Sequence, residues 1–360
     1  MTSLNAEKKI FMDFEKELHN DRLQELISPA LNRFHRILKS YAAFNFFFYS
    51  LISAEIIYLL FHLTFLIQNF VLAIHLALIF ATIFSFFTLR LYFQTKKTER
   101  CFALKSDFAA SVESYIHYRE KNPEHYLIIA TICCKLAAHL HGREYQIYRF
   151  PSLLSFLSSS IEKFSCWCHW RDIHFMKELL LQRSVEEHTR LVRLEPTNLE
   201  VHVGLANAYV MLSGLYVDPR IIEGLDEDRW IPPNKFTETF NQKFRNSAER
   251  AIEEFKIISD YAPHDPWVHA QLAFSYHDLK MPEEEIREYE IILELCPEDK
   301  DALFKLGKLY FEQGRNAKGL QIYETLKKFN YIKAESLIQF YGVYANTANQ
   351  FRQADMQNMG

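Results

Sequence analysis

Residues 263–331 read PHDPWVHAQLAFSYHDLKMPEEEIREYEIILELCPEDKDALFKLGKLYFEQGRNAKGLQIYETLKKFNY, and this stretch decides the fold because it repeats itself. Leu272, Ala273 and Tyr276 return 34 residues later as Leu306, Gly307 and Tyr310. Phe255, Tyr289 and Tyr323 keep the same step, and so do Pro263 and Pro297. A period of this length is filled by two short helices, which can bury their apolar faces only by stacking on neighbouring pairs.

That period, with these residues, resembles the tetratricopeptide repeat family. The leucine, small residue and tyrosine of the family's first helix are matched by Leu205-Ala206-Tyr209, Leu272-Ala273-Tyr276 and Leu306-Gly307-Tyr310. Ala251, Phe255 and Pro263 match the small residue, aromatic and closing proline of its second helix. Glu285 replaces the small residue before Tyr289, and Tyr331 stands where a proline would follow Gly319 and Tyr323. The tryptophan-like slot holds His202, His269 and Leu303. The resemblance implies three helix pairs and a concave surface, lined by the first helices, that receives a segment of a partner protein.

Working outward, residues 177–347 form the repeat region. Lys177 to Leu194 reads as a degenerate half-repeat, Ala334 to Asn346 as a closing helix with Leu337, Phe340 and Tyr344, and residues 348–360 as a polar tail. Tyr209 and Tyr276 are 67 residues apart, which places an insertion at about 215–244, with Trp230 and Pro232-Pro233 inside it. Residues 94–176 read as helical connections, with candidates at Phe108 to Tyr118, Tyr126 to Leu140 and Leu153 to Phe164.

Residues 41–93 are of another kind. From Tyr41 through Leu89 the only charged residue is Glu55, and there is no Gly or Pro. One helix over that run would measure about 73 Å, against a hydrocarbon core of about 30 Å. The expectation is two membrane spans turning at Gln68-Asn69. Arg33, Arg36 and Lys39 precede the block and Arg90, Lys96, Lys97 and Arg100 follow it, which puts both termini on the cytoplasmic side. Folded at that turn, Glu55 lies level with Thr82 and His62 with His75, a polar seam that holds the hairpin together or pairs it with a second copy. The short hairpin with both ends on one side also resembles the inclusion membrane proteins of chlamydiae. Before it, residues 1–40 form an amphipathic arm: Ile10, Phe11, Phe14, Leu18, Leu26 and Ile27 recur at helical intervals, and Ser28-Pro29 reads as the cap and first turn of a new helix.

Composition sets the class. Nine Gly and eleven Pro are too few for the turns of a β-rich chain of 360 residues, so the expected fold is all-α, a transmembrane two-helix hairpin followed by a helical solenoid. The 41 basic and 45 acidic residues are mixed, which leaves no electrostatic footprint for nucleic acid. The six cysteines show no framework spacing and suit a reducing compartment. No phosphate-binding glycine loop, His-Glu-x-x-His helix or Gly-x-Ser-x-Gly elbow occurs. Cys166-Trp167-Cys168-His169 carries zinc-ligand types, but without a second pair it reads as a buried cysteine cluster. The chain is therefore expected to be a non-enzyme with no cofactor and no metal.

By register, the groove-facing candidates are Val203, Asn207, Ala270, Gln271, Phe274, Phe304, Lys305 and Lys308. Val203 occupies a position where family members that hold a chaperone's terminal carboxylate need a lysine, and Asp301 opposes a carboxylate, so that ligand is not expected. The reading is a membrane-anchored scaffold or adaptor with a protein partner and a lipid bilayer. The alternative makes the hairpin, through Glu55 and His62, the working part, with the repeats regulating it.

Overall fold

The computed structural model describes residues 20–63, 70–148, 158–221, 230–232, 234–329 and 332–341. Every regular element among them is helical: α1 (Asn20–Phe61), α2 (Val71–Tyr115), α3 (Pro123–His139), α4 (Ser158–Leu194), α5 (Leu199–Gly214), α6 (Glu238–Tyr261), α7 (Pro266–Asp278), α8 (Pro282–Leu295), α9 (Lys300–Glu312), α10 (Asn316–Lys328) and α11 (Ala334–Ile338). Short 3₁₀ turns lie at Arg143–Tyr145 and Pro219–Ile221. The chain divides into two compact units, one drawn from Ile10–Leu194 with Val217–Thr237, the other from Glu195–Tyr216 with Glu238–Gly360.

In the first unit α1 and α2 run antiparallel. Phe44 packs on Phe93 with ring centroids 4.6 Å apart, Phe48 on Phe86 at 5.5 Å, and Arg33 reaches Asp107 at 2.6 Å. The expected turn at Gln68-Asn69 lies outside the described residues. Both helices contain stretches long and apolar enough to cross a bilayer. Their other ends carry the unit's core, where Phe34 and Leu38 of α1 and Leu104 and Phe108 of α2 are buried, as are Ile132 of α3 and Leu180 of α4.

Three local expectations are corrected here. The helix boundary at Ser28-Pro29 is absent, because α1 runs through Pro29. Proline removes the donor that would reach the carbonyl four residues back, and since Glu25, Ser28 and Pro29 all lie on the exposed face, water can satisfy that carbonyl. Phe108 to Tyr118 is not a separate helix but the end of α2, which has 45 residues and no Gly or Pro to stop it. The half-repeat at Lys177 to Leu194 is the second half of α4, a 37-residue helix that starts at Ser158. In both places polar residues change the hydropathy without ending the helix. The first part of the arm, and residues 153–157, lie outside the described residues.

The second unit is a run of helix pairs: α5 with α6, α7 with α8 and α9 with α10. Each first helix opens on a side-chain cap. Asn198, Asp265 and Asp299 accept the backbone N–H of Glu200, Trp267 and Asp301, which satisfies a donor that the first turn leaves unpaired. Tight turns follow through Lys280 at φ 56° and Gly314 at φ 71°. Phe255 is fully buried between Ala206, Ala251 and Leu272. Tyr289 does the same for the next pair, among Ala273, Leu306 and Tyr310. The small residues are needed for contact. A Cβ at Gly319 would sit 2.5 Å from the Phe311 ring and one at Gly307 2.7 Å from Leu337. α11 caps the stack through Leu337, and the remainder of the expected closing helix, 342–346, lies outside the described residues.

The departures from the repeat pattern have structural reasons. His202 Nδ1 lies 2.6 Å from Glu254 and its Nε2 3.0 Å from the Pro196 carbonyl. His269 repeats this, 2.7 Å from Glu288 and 3.0 Å from the Pro263 carbonyl. Each ring thus ties a first helix to its second helix and to the turn before it. Buried Glu285 is partnered by His277, whose Nδ1 lies 3.1 Å from the nearer carboxylate oxygen. The insertion is shorter than expected at its C-terminal end, since α6 already begins at Glu238. Its described residues, 217–221, 230–232 and 234–237, belong to the first unit. There the Trp230 carbonyl accepts from the Tyr145 hydroxyl at 3.0 Å, Ile231 is buried and Phe236 packs edge-on against Trp170 at 5.4 Å.

Candidate functional site

The groove of the second unit forms where α7, α8 and α9 meet. It has a volume of about 560 Å³, and its walls include Trp267, Gln271 and Phe274 of α7, Tyr289 of α8, and Asp301 and Lys305 of α9. Ala270, Gln271 and Phe274 of α7 line it together with Ala302 and Lys305 of α9. Phe274 is 52% exposed although its neighbours Leu272 and Ala273 are buried. The Lys305 ammonium lies over the Tyr289 ring, 5.8 Å from its centroid. An aromatic floor with one cation and two carboxylates, Asp299 and Asp301, at its edge suits an amphipathic peptide more than a small polar metabolite.

The structure distributes the other candidates differently. Val203 is a correction: it is buried rather than lining a groove, because it belongs to the core that Ala206 shares with Ala251 and Phe255 of α6. Asn207 is half-buried on α5 and does not line this cavity. Phe304 packs on the cluster of Leu303, Phe311 and Leu337, and Lys308 lies over the Phe340 ring at 5.2 Å, so both stand on the side that the α11 region covers. Trp267 is a wall residue that the register argument misses. Its signal is the Asp-Pro-Trp start of α7, which places an aromatic in the first turn.

In the hairpin, Thr82 Oγ1 donates to Glu55 Oε1 at 2.9 Å. His75 Nε2 lies 3.1 Å from the Glu55 carbonyl oxygen. His62 does not meet His75 directly. The Tyr58 ring lies next to both, with centroids 4.6 Å from His62 and 5.1 Å from His75.

The cysteine cluster has no zinc geometry, and among the described residues no group of three or more His, Cys, Asp or Glu is placed to hold a metal ion. Burial pushes the Cys133 thiol up to about 12 and the Cys166 thiol up to about 11, which makes both inert. Near Cys101 and Cys168, Lys97 is 2.6 Å from Asp172 and the Tyr148 hydroxyl 3.1 Å from His169 Nε2. Burial alone would raise the Asp172 carboxyl, but His169, whose Nδ1 lies 3.6 Å away, and the charge of Lys97 outweigh it and hold the group below the usual carboxylate range.

No family model matches the chain, and no curated protein matches it. Among solved structures, the chain is similar to a thermophilic TPR protein of Thermus thermophilus, with 15% identity over 57% of this chain and 98% of that one, at a TM-score of 0.29. It is also similar to the human IFIT1 dimer with PPP-AAAA, with 13% identity over 71% of this chain and 64% of that one, at a TM-score of 0.31. A monomeric mutant of IFIT1 with Gppp-AAAA gives 12% identity, 69% and 61% coverage, and a TM-score of 0.33. The chain thus spans just under two thirds of the IFIT1 chains. The repeat assignment rests on this chain's own helix pairs and their register.

Proposed function

We propose that the protein is a membrane-anchored helical-repeat adaptor. Its hairpin crosses the bilayer twice with both termini on the cytoplasmic side, and the groove between α7 and α9 takes an amphipathic segment of a partner protein. The observation that carries the reading is the outer surface of the hairpin. Phe46, Phe61, Phe70 and Phe80 are between 71% and 82% exposed, and almost none of either apolar stretch is buried in the protein. A soluble monomer rarely leaves more than a few hundred Å² of contiguous apolar surface in water, and this exposed band supports placing the hairpin in hydrocarbon.

The anchor is tested by extraction and protease access. In sealed vesicles the chain should resist alkaline carbonate, and both termini should be cleaved from the cytoplasmic face only. Release by carbonate, or protection of one terminus, overturns the topology. The groove is tested by photo-crosslinking from Phe274 in the native membrane, with Phe304 as the covered control. A partner captured from Phe274 and lost on Lys305→Glu supports the reading, whereas equal labelling from both positions removes it.

A second reading makes the hairpin the working part, and the Glu55 to Thr82 contact favours it. Proton or ion flux in liposomes that disappears on Glu55→Gln would establish it, and flux indistinguishable from empty liposomes would exclude it.

A further inference from the structure

The first unit holds a second cavity, of about 750 Å³, bounded by α1, α2 and α4 at the polar end of the hairpin. Among the described residues its charge is one-sided. Arg90, Lys97, Arg171 and Lys235 line it against the single carboxylate of Asp172, which Lys97 already neutralises at 2.6 Å. Among the described residues Arg90, Arg171 and Lys235 have no carboxylate within ion-pair distance.

The position of this cavity follows from helix register. Lys97 faces Asp172, Phe102 packs on Phe175 and Glu113 meets Arg183, so α4 runs parallel to α2. Going back from Asp172 at about 1.5 Å per residue, Trp167 and Phe164 fall level with about Tyr92 and Leu89, where the apolar stretch ends. Both rings are half exposed, Trp167 at 58% and Phe164 at 50%. Aromatic rings beside cations at that depth mark a headgroup layer. The cavity also holds a polar atom in need of a donor, since buried Asn45 Oδ1 has no hydrogen-bond partner.

Resting on the membrane reading above, we propose that this cavity binds the headgroup of an anionic phospholipid. The phosphate would sit among Arg90, Arg171 and Lys235, a headgroup hydroxyl would donate to Asn45, and the acyl chains would leave between Phe46 and Trp167 along the hairpin. A basic recess between helices at the cytoplasmic boundary concentrates such lipids.

The test uses the full chain in neutral detergent micelles, titrated with dioleoylphosphatidylglycerol, dioleoylphosphatidylcholine and soluble glycerol 3-phosphate, with bound lipid read by native mass spectrometry. Phosphatidylglycerol should bind at least ten-fold tighter than phosphatidylcholine. Arg171→Gln and Lys235→Gln should each weaken it about five-fold, leaving phosphatidylcholine unchanged. The charge-conserving Arg171→Lys and Lys235→Arg should restore binding, which separates loss of charge from loss of fold. Equal affinity for the two lipids overturns the site and leaves the anchor standing. Glycerol 3-phosphate binding as tightly as the lipid overturns the lipid as its source. A chain that stays soluble without detergent and does not associate with vesicles overturns the anchor, and the site with it.

Discussion

Replacing His202 by alanine tests whether the histidine in the tryptophan-like slot ties a first helix to its own second helix and to the turn before it. The ring spans two acceptors, Glu254 at 2.6 Å and the Pro196 carbonyl at 3.0 Å. A hydrogen bond to a charged group contributes about 1.5–3 kcal/mol and a neutral one about 0.5–1.5. Glu254 keeps 17% of its side-chain exposure and can rehydrate in part, so the expected loss lies near the lower end, about 2–3 kcal/mol. For a unit of this size that lowers Tm by about 8–12 °C, at about 4 °C per kcal/mol. His269→Ala, which loses the same two contacts to Glu288 and Pro263, should cost a similar amount. Glu254→Gln keeps an acceptor oxygen and should cost less. The assay is thermal unfolding of the full chain in neutral micelles, with hydrogen exchange reading the α5 and α7 peptides separately. If both alanine variants melt within about 2 °C of wild type, or if exchange rises equally everywhere, the account of these histidines is wrong.

Hydrogen bonding to Glu285 raises the His277 pKa above its ordinary value. A raised histidine contributes stability that is fully present below the unfolded value near 6.5 and is lost as pH rises through the folded one. The Tm of wild type should therefore fall more steeply above about pH 6.5 than that of His277→Gln, and parallel Tm profiles would refute the pairing. Gly319→Ala drives a methyl to 2.5 Å from the buried Phe311 ring. Overpacking costs about 1–3 kcal/mol against about 1 gained in helix propensity, so chemical denaturation should show a net loss that Phe311→Leu relieves, and a net gain would mean that the ring moves freely. In the hairpin, Glu55→Leu and Thr82→Val should show a coupling of about 0.5–1.5 kcal/mol in a double-mutant cycle on detergent unfolding, and additivity would dissolve the contact.

What could be read without coordinates are the parts whose signal is local or periodic. The step from Tyr276 to Tyr310 located two helix pairs and their cores, since a repeat that must stack on a copy of itself writes the same residues at the same spacing. The uninterrupted run from Tyr41 to Leu89 located two apolar helices, because hydropathy over that length has no other solution in a helical chain. In the hairpin, counting from the turn put Glu55 level with Thr82, which do meet, but it paired His62 with His75, whereas the Tyr58 ring lies next to both.

Where long helices end, and which residues leave the surface, was not legible from hydropathy and register. Pro29 was tolerated because its orphaned carbonyl faces water, and α2 and α4 continued past their polar stretches because nothing in them breaks a backbone hydrogen bond. Val203 went into the core, and Phe304 and Lys308 to the covered side, since register along one helix fixes a direction but not what packs there. The cations Arg90, Arg171 and Lys235, which have no carboxylate partner among the described residues, come from three distant segments. A cavity gathered from such separations leaves no spacing in the sequence to be read.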